Sequence, residues 1–202
     1  FFSLQGESTL VGLPTVFIRL TGCPLRCGYC DTTYAFKGGE WMDADQVLRQ
    51  VAEYSADYVC VTGGEPLAQK DCLNLLKDLC DRDYTVSLET SGAMDISDVD
   101  PRVIRIVYVK TPGSGEQDKN LFTNFDQLTN SDQVKFVICD RNDYDWSKSI
   151  LEQHCLADKC EILFSPSEGQ LQASDLADWI IEDRLRVRMQ VQLHKILWGG
   201  GE

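Results

Sequence analysis

Short runs of β-branched and aromatic residues recur along this chain, and helix-length amphipathic stretches fill the intervals. The candidate strands are residues 15–20, 58–62, 85–89, 104–109, 133–138, 161–164 and 189–193. Apolar residues three and four apart mark the helical stretches: Val47, Val51 and Tyr54 behind Asp43 as an N-cap; Leu73, Leu76 and Leu79; Ile150 and Leu151; Leu176, Trp179 and Ile180. Such alternation argues for parallel strands joined by crossover helices, an α/β fold that closes into a full or partial barrel or lies as an open doubly wound sheet. Either form places its chemistry at the carboxyl ends of the strands. The polar loop at 113–120 breaks the alternation and reads as a mobile element or the place of a missing barrel helix.

With 202 residues the chain reads as one domain over 1–202. Nineteen Lys and Arg against 32 Asp and Glu leave a formal charge of −13, which repels polyanions and argues against work on nucleic acid. No apolar run reaches membrane-spanning length and no secretory signal opens the sequence, so a cytoplasmic protein without a membrane role is expected. The start at Phe1 without methionine and the closing residues 199–202 read as truncation at both termini.

Nine cysteines without a secretion signal speak for free thiols or metal ligation rather than disulfides. Cys60, Cys72, Cys80, Cys139, Cys155 and Cys160 lie in strand-like or helix-like segments and are expected to be small buried side chains. Cys23, Cys27 and Cys30 differ: their C-x-x-x-C-x-x-C spacing follows the first candidate strand and lets three thiolates converge from one loop. Structural zinc and ordinary iron-sulfur carriers take four protein ligands, so three leave a position for another group. The bland alternatives are a zinc site completed by a distant Cys or His, or a chance cluster.

With Tyr29 just before its last cysteine, the triad resembles the signature of the radical S-adenosylmethionine superfamily. The resemblance implies a modified, incomplete (β/α) barrel with parallel strands. It also implies a 4Fe-4S cluster on Cys23, Cys27 and Cys30, S-adenosylmethionine chelating the fourth iron, and Tyr29 against the adenine. Alone, Tyr29 would be a loop aromatic on the barrel rim. Thr62-Gly63-Gly64-Glu65-Pro66 at a strand end resembles the superfamily's Gly-Gly-Glu motif for the methionine ammonium. Glycines let backbone carbonyls approach such a ligand, though the same residues alone would make a routine strand-to-helix turn.

Phe2-Ser3-Leu4-Gln5-Gly6-Glu7, the run from Phe17 to Cys23, and Cys30-Asp31-Thr32 narrow the resemblance to the 7-carboxy-7-deazaguanine synthase family. Glu89-Thr90-Ser91-Gly92, Lys110-Thr111-Pro112 and His194-Lys195 extend it over nearly the whole chain. The family implies a homodimer that rearranges 6-carboxy-5,6,7,8-tetrahydropterin into 7-carboxy-7-deazaguanine with loss of ammonia, for queuosine or another deazapurine. It further implies a 5′-deoxyadenosyl radical that abstracts hydrogen from C6 and later returns it, with electrons from a flavodoxin or ferredoxin-type donor. The protein's share is positioning and electrostatics.

By this resemblance Leu4, Gln5, Gly6, Glu7, Arg19, Thr62 and His194 contact the substrate. A carboxylate such as Glu7 presents two acceptors to the adjacent 2-amino and ring N–H donors of a pterin. Arg19 alternates with Val16, Ile18 and Leu20, so it projects into the barrel toward the substrate carboxylate; its bland reading is a surface arginine. Thr32 matches a Mg²⁺ ligand, where residue types alone suggest a turn or cap. A lone His194 is otherwise structural. Gly63, Gly64, Glu65, Ser91, Lys110, Thr111 and Ser165 fall on cofactor-binding segments, with a departure at 110–112, where relatives carry Ser-Pro-Lys. Two other classes share the triad: an activase that installs a glycyl radical on a partner enzyme, and a non-enzymatic metal-binding module.

Overall fold

The computed structural model describes residues 1–199. Its strands form one eight-stranded sheet in chain order: β1 (Phe2–Leu4), β2 (Pro14–Leu20), β3 (Tyr58–Gly63), β4 (Thr85–Thr90), β5 (Ile104–Val109), β6 (Gln133–Ile138), β7 (Glu161–Pro166) and β8 (Arg188–Met189). β1 runs antiparallel to β2 and every later pair is parallel. The helices are α1 (Ala44–Glu53), α2 (Cys72–Cys80), α3 (Arg141–His154), α4 (Ala173–Glu182) and α5 (Leu193–Trp198). α1 to α4 are the crossovers of β2–β3, β3–β4, β6–β7 and β7–β8, whereas β4–β5 and β5–β6 are joined without an α-helix. An incomplete barrel results.

Period-two alternation separates the two faces of the sheet. Val16, Ile18, Val59, Val61, Val86 and Leu88 point outward into a core shared with Leu48, Val51, Leu75, Leu76 and Leu79 of α1 and α2. Val134, Phe136, Ile138, Ile162 and Phe164 do the same against Tyr144, Ile150, Leu151 and Leu176 of α3 and α4. Each such side chain contributes about 1.5–3 kcal/mol on burial. Their alternates, Phe17, Arg19, Thr62, Glu89, Tyr108 and Lys135, face the barrel interior, which therefore carries charged and polar side chains beside aromatic ones. α1 starts where the sequence places it: Asp43 Oδ1 accepts from Gln46 N–H at 2.7 Å and Gln46 Oε1 accepts from Asp43 N–H at 2.8 Å.

Two readings need correction, the last strand and the burial of Cys155 and Cys160, while the 113–120 loop takes the second of its two readings. The strand expected at 189–193 shrinks to Arg188–Met189, although Gln190 N–H still donates to Phe164 O of β7 (2.9 Å) while Gln190 also bridges the open edge. Its side-chain amide accepts from Ser8 N–H (2.9 Å) and donates to Ser8 O (2.6 Å), and Leu193 N–H then reaches Gly6 O as α5 begins. The loop at 113–120 is the place of a missing helix: 3-10 turns at Pro112–Ser114 and Gln117–Lys119 take its place, pinned by the Asn120 side chain to both backbone groups of Lys110. Cys155 is exposed at the left-handed C-cap of α3, and Cys160 is only half-buried. β1 carries no sequence signal of its own and exists by pairing to β2.

Candidate active site

The loop after β2 is fixed on both flanks before any side chain matters. Gly22 N–H donates to Ala35 O (2.8 Å), Glu65 N–H to Gly22 O (2.8 Å), and Gly28 N–H to Ser114 O (2.9 Å). Arg26 donates from its guanidinium to Cys23 O and Leu25 O, each at 2.7 Å, and lies 4.3 Å above the Phe36 ring. The loop thus presents Cys23, Cys27 and Cys30 along one wall of a cavity of about 690 Å³ at the carboxyl ends of the strands. Among the described residues the thiols do not converge on a point that a single ion could occupy. Burial pushes the Cys23 and Cys27 thiols up, with the Lys110 ammonium opposing.

The donor set fits an open cluster and a polar cofactor. Tyr29 OH and Ser165 Oγ are buried in this cavity without a hydrogen-bond partner, as is Gln5 Nε2. Buried polar atoms are normally paired, so such orphans point to a ligand. The Thr111 hydroxyl beside Tyr29 donates to Val137 O (3.0 Å) or Asp143 Oδ2 (2.9 Å). Lys110, nearly buried, has no carboxylate within ion-pair distance among the described residues and rests 4.9 Å from the Tyr108 ring centre.

The Gly-Gly-Glu segment works differently from its sequence reading. A side chain on Gly63 or Gly64 would collide with the backbone of Leu20 or Gly22, so these glycines let β3 pass under the cysteine loop while also lining the cavity. Glu65 is fully buried outside the cavity lining. Its carboxylate accepts from Thr90 Oγ1 (2.9 and 3.0 Å), Ser91 N–H (2.6 Å) and Leu67 N–H (3.0 Å). It therefore ties the ends of β3 and β4 together.

Across the interior lies the opposite chemistry. The segment after β1 crosses the floor at the strand starts, with Gln133 Oε1 accepting from Thr9 N–H (2.9 Å), and delivers Gln5, Gly6 and Glu7 into the cavity. The Glu7 carboxylate pairs with the Lys135 ammonium and lies 3.5 Å from Tyr108 OH. Glu89 accepts from Thr62 Oγ1 at 2.8 Å; burial and the neighbouring Glu7 hold its carboxyl above the usual range. Arg19 makes no ion pair among the described residues, its guanidinium lying 5.3 and 5.5 Å from the Phe1 and Tyr34 rings.

At the rim Thr32 Oγ1 donates to Asp31 Oδ1 (3.0 Å), while Gln192 Nε2 (3.0 Å) and Lys195 Nζ (3.3 Å) reach Asp31 Oδ2. Burial would raise the Asp31 carboxyl, but these donors hold it below the usual range. His194 abuts Gly6, which has no space for a side chain.

All the residues singled out from sequence line this one cavity except Glu65 and Thr111, which brace its walls from behind. Sequence reasoning gave no site role to Glu89, Tyr108, Lys135, Asp31, Gln192 and Lys195, although Glu89, Asp31 and Lys195 stand in the quoted motifs. Strand parity could have found the first three, since each is a polar residue alternating with outward-facing apolar ones.

The profile of the Radical SAM superfamily matches residues 17–107. The chain is 45% identical over 201 residues to a protein of Chlorobaculum tepidum named 7-carboxy-7-deazaguanine synthase, covering 98% of this chain and 91% of that one. A protein of the same name from Koribacter versatilis is 41% identical over 211 residues, covering 97% and 93%. In fold the chain resembles the crystal structure of QueE from Escherichia coli, with a TM-score of 0.78 at 23% identity over 96% of this chain and 92% of that one.

Proposed function

The chain belongs to the 7-carboxy-7-deazaguanine synthase family of the radical S-adenosylmethionine superfamily, and from that premise we propose that its cavity holds the cofactors along the cysteine wall and a pterin against the floor. It is a lyase that converts 6-carboxy-5,6,7,8-tetrahydropterin into 7-carboxy-7-deazaguanine with loss of ammonia, in the queuosine and 7-deazapurine branch. When bound, the 4Fe-4S cluster and S-adenosylmethionine supply the one-electron, hydrogen-abstracting chemistry; the protein's own residues bind, orient and exclude water.

Cys23, Cys27 and Cys30 would hold the cluster. Tyr29, Ser91, Lys110 and Ser165, with the backbone of Gly63 and Gly64, would receive S-adenosylmethionine, while Glu65 and Thr111 keep those segments in place from outside the cavity. Leu4, Gln5, Gly6 and Glu7 would frame the amino-pyrimidine edge, Thr62 and His194 would close on the ring, and the unpaired Arg19 would meet the carboxylate. Thr32, beside Asp31, offers hard oxygen donors to Mg²⁺ next to that carboxylate. We further assign residues 1–202 to a single radical S-adenosylmethionine domain acting as a homodimer in the cytoplasm, reduced by a flavodoxin or ferredoxin-type donor. Among the described residues no helix is long and apolar enough to cross a membrane.

The observation that carries this reading is the opposed chemistry of one cavity: three thiols and orphaned donors on one wall, and an unpaired arginine facing carboxylates across it. The activase and the bare metal-binding module have no use for that second wall. The test is an anaerobic assay with carboxytetrahydropterin, S-adenosylmethionine, Mg²⁺ and a reductant. A deazaguanine chromophore is expected; cofactor cleavage without it would overturn the assignment.

A further inference from the structure

Lys135 is the most deeply buried lysine of the barrel interior, with its side chain 2% exposed, on the middle of β6 where apolar residues flank it in sequence. Lysine tolerates such burial only when paired. Its ammonium contacts Glu7 Oε1 and lies 3.2 Å from Tyr108 OH and 4.8 Å from the Tyr108 ring centre. Tyr108 OH in turn lies 3.5 Å from Glu7 Oε2. The Glu7 carboxylate is thus gripped from behind at both oxygens by groups on two rigid strands, although Glu7 itself sits on a loop.

We propose that Lys135, seconded by Tyr108, is a positioning and specificity-determining residue: it fixes Glu7 as an oriented double acceptor and so makes the site select heterocycles that carry adjacent amino and ring N–H donors. The inference rests on the reading that Glu7 meets the pterin edge. Each carboxylate oxygen has two lone pairs, so one contact from behind leaves one pair on each for the ligand. Glu89, which also faces this space, would otherwise oppose a charged Glu7, and the Lys135 ammonium offsets that repulsion. Without Lys135, Glu7 would lose the contact that orients its carboxylate on the loop, and the discrimination between a 2-amino and a 2-oxo edge would fall.

The test compares binding of 6-carboxypterin and 6-carboxylumazine, which differ only in the 2-amino against 2-oxo edge, to anaerobically reconstituted protein by ligand fluorescence. Wild type is expected to prefer the pterin by about a hundredfold, as a desolvated charge-assisted contact would. Lys135→Met should collapse that preference to a few-fold while lumazine affinity and iron content hold. Lys135→Arg should restore most of it, and Tyr108→Phe should lower it by about threefold. Lys135→Met with an undiminished preference, or with equal losses for both ligands, would overturn the proposal. If Lys135→Met does not load iron, the decision passes to Tyr108→Phe, for which an unchanged preference overturns and a selective loss supports it. Glu7→Gln separates the two levels: an unchanged pterin preference there sinks the reading of Glu7, whereas a large loss there with none in Lys135→Met sinks only the role of Lys135.

Discussion

Two buried ion pairs lie in neighbouring strands of this barrel and do different work. Arg105 at the start of β5 meets Asp132 just before β6 bidentately, Nε to Oδ1 at 3.0 Å and Nη2 to Oδ2 at 2.6 Å. Asp132 also accepts from Arg105 N–H and from Thr129 N–H and Oγ1, and Arg105 donates to Gln127 O, so the carboxylate is saturated by protein. Lys135 is buried as deeply as Arg105, but Glu7 is only part-buried, and its carboxylate keeps acceptor capacity and faces a cavity. A saturated pair closes a fold, whereas an unsaturated one beside empty space is built to receive a ligand.

That contrast can be broken in several ways. Glu7→Ala should lower deazaguanine formation by roughly 30-fold to several-thousand-fold, the usual cost of removing one partner of a desolvated charged contact. Its loss of stability should be smaller than that of Asp132→Ala, because Lys135 keeps the Tyr108 hydroxyl at 3.2 Å and the Tyr108 ring; an equal loss would make the pair structural. Asp132→Ala should do the reverse, costing about 3–5 kcal/mol of stability in a denaturant titration while the folded fraction turns over normally. Selective loss of turnover with intact stability would erase the distinction.

The pH dependence of stability should separate the two regions next. Burial would raise the Asp132 carboxyl, but Arg105 and the Thr129 backbone hold it below the usual range. Its stabilisation is therefore present above the ordinary aspartate value of ~3.9 and is lost as pH falls through the lower folded value, so Asp132→Asn should flatten the acid limb. Glu89 carries the opposite sign. With its folded value raised by burial and by Glu7, its contribution is full below the ordinary glutamate value and declines as pH rises, so Glu89→Gln should stabilise at pH 8 and not at pH 4. Matching slopes for the two variants would contradict this. The smallest effect is expected at Thr32→Ala, which should weaken the Mg²⁺ dependence of turnover by a few-fold without touching iron content. Turnover indifferent to both chelation and this substitution would remove Mg²⁺ from the site.

The same two pairs show what the sequence could disclose. Strand positions with apolar alternates, the Asp43 cap and the cysteine spacing are local, and residues 15–20, 58–62 and 133–138 stand where the pattern puts them. Arg105 with Asp132 and Glu7 with Lys135 join positions far apart in the chain, and no local pattern records which strands become neighbours. Glu65 and Thr111 lie on motif segments, but their side chains turn away from the cavity to bind Thr90 and Asp143, a choice set by packing behind the wall. The last strand was legible in place but not in length, because the contacts of the Gln190 side chain with Ser8 across the open barrel edge join positions far apart in the chain.

The most direct measurement is a single anaerobic experiment on Glu7→Gln, which keeps the side-chain volume and removes the charge. Iron content, cleavage of S-adenosylmethionine and deazaguanine formation would be read from one preparation. An undiminished cluster on Cys23, Cys27 and Cys30 is expected, with slow uncoupled cleavage and product below one-thirtieth of wild type, in line with a loss of about 2 kcal/mol or more. Product at the wild-type rate, or loss of the cluster itself, would contradict this expectation.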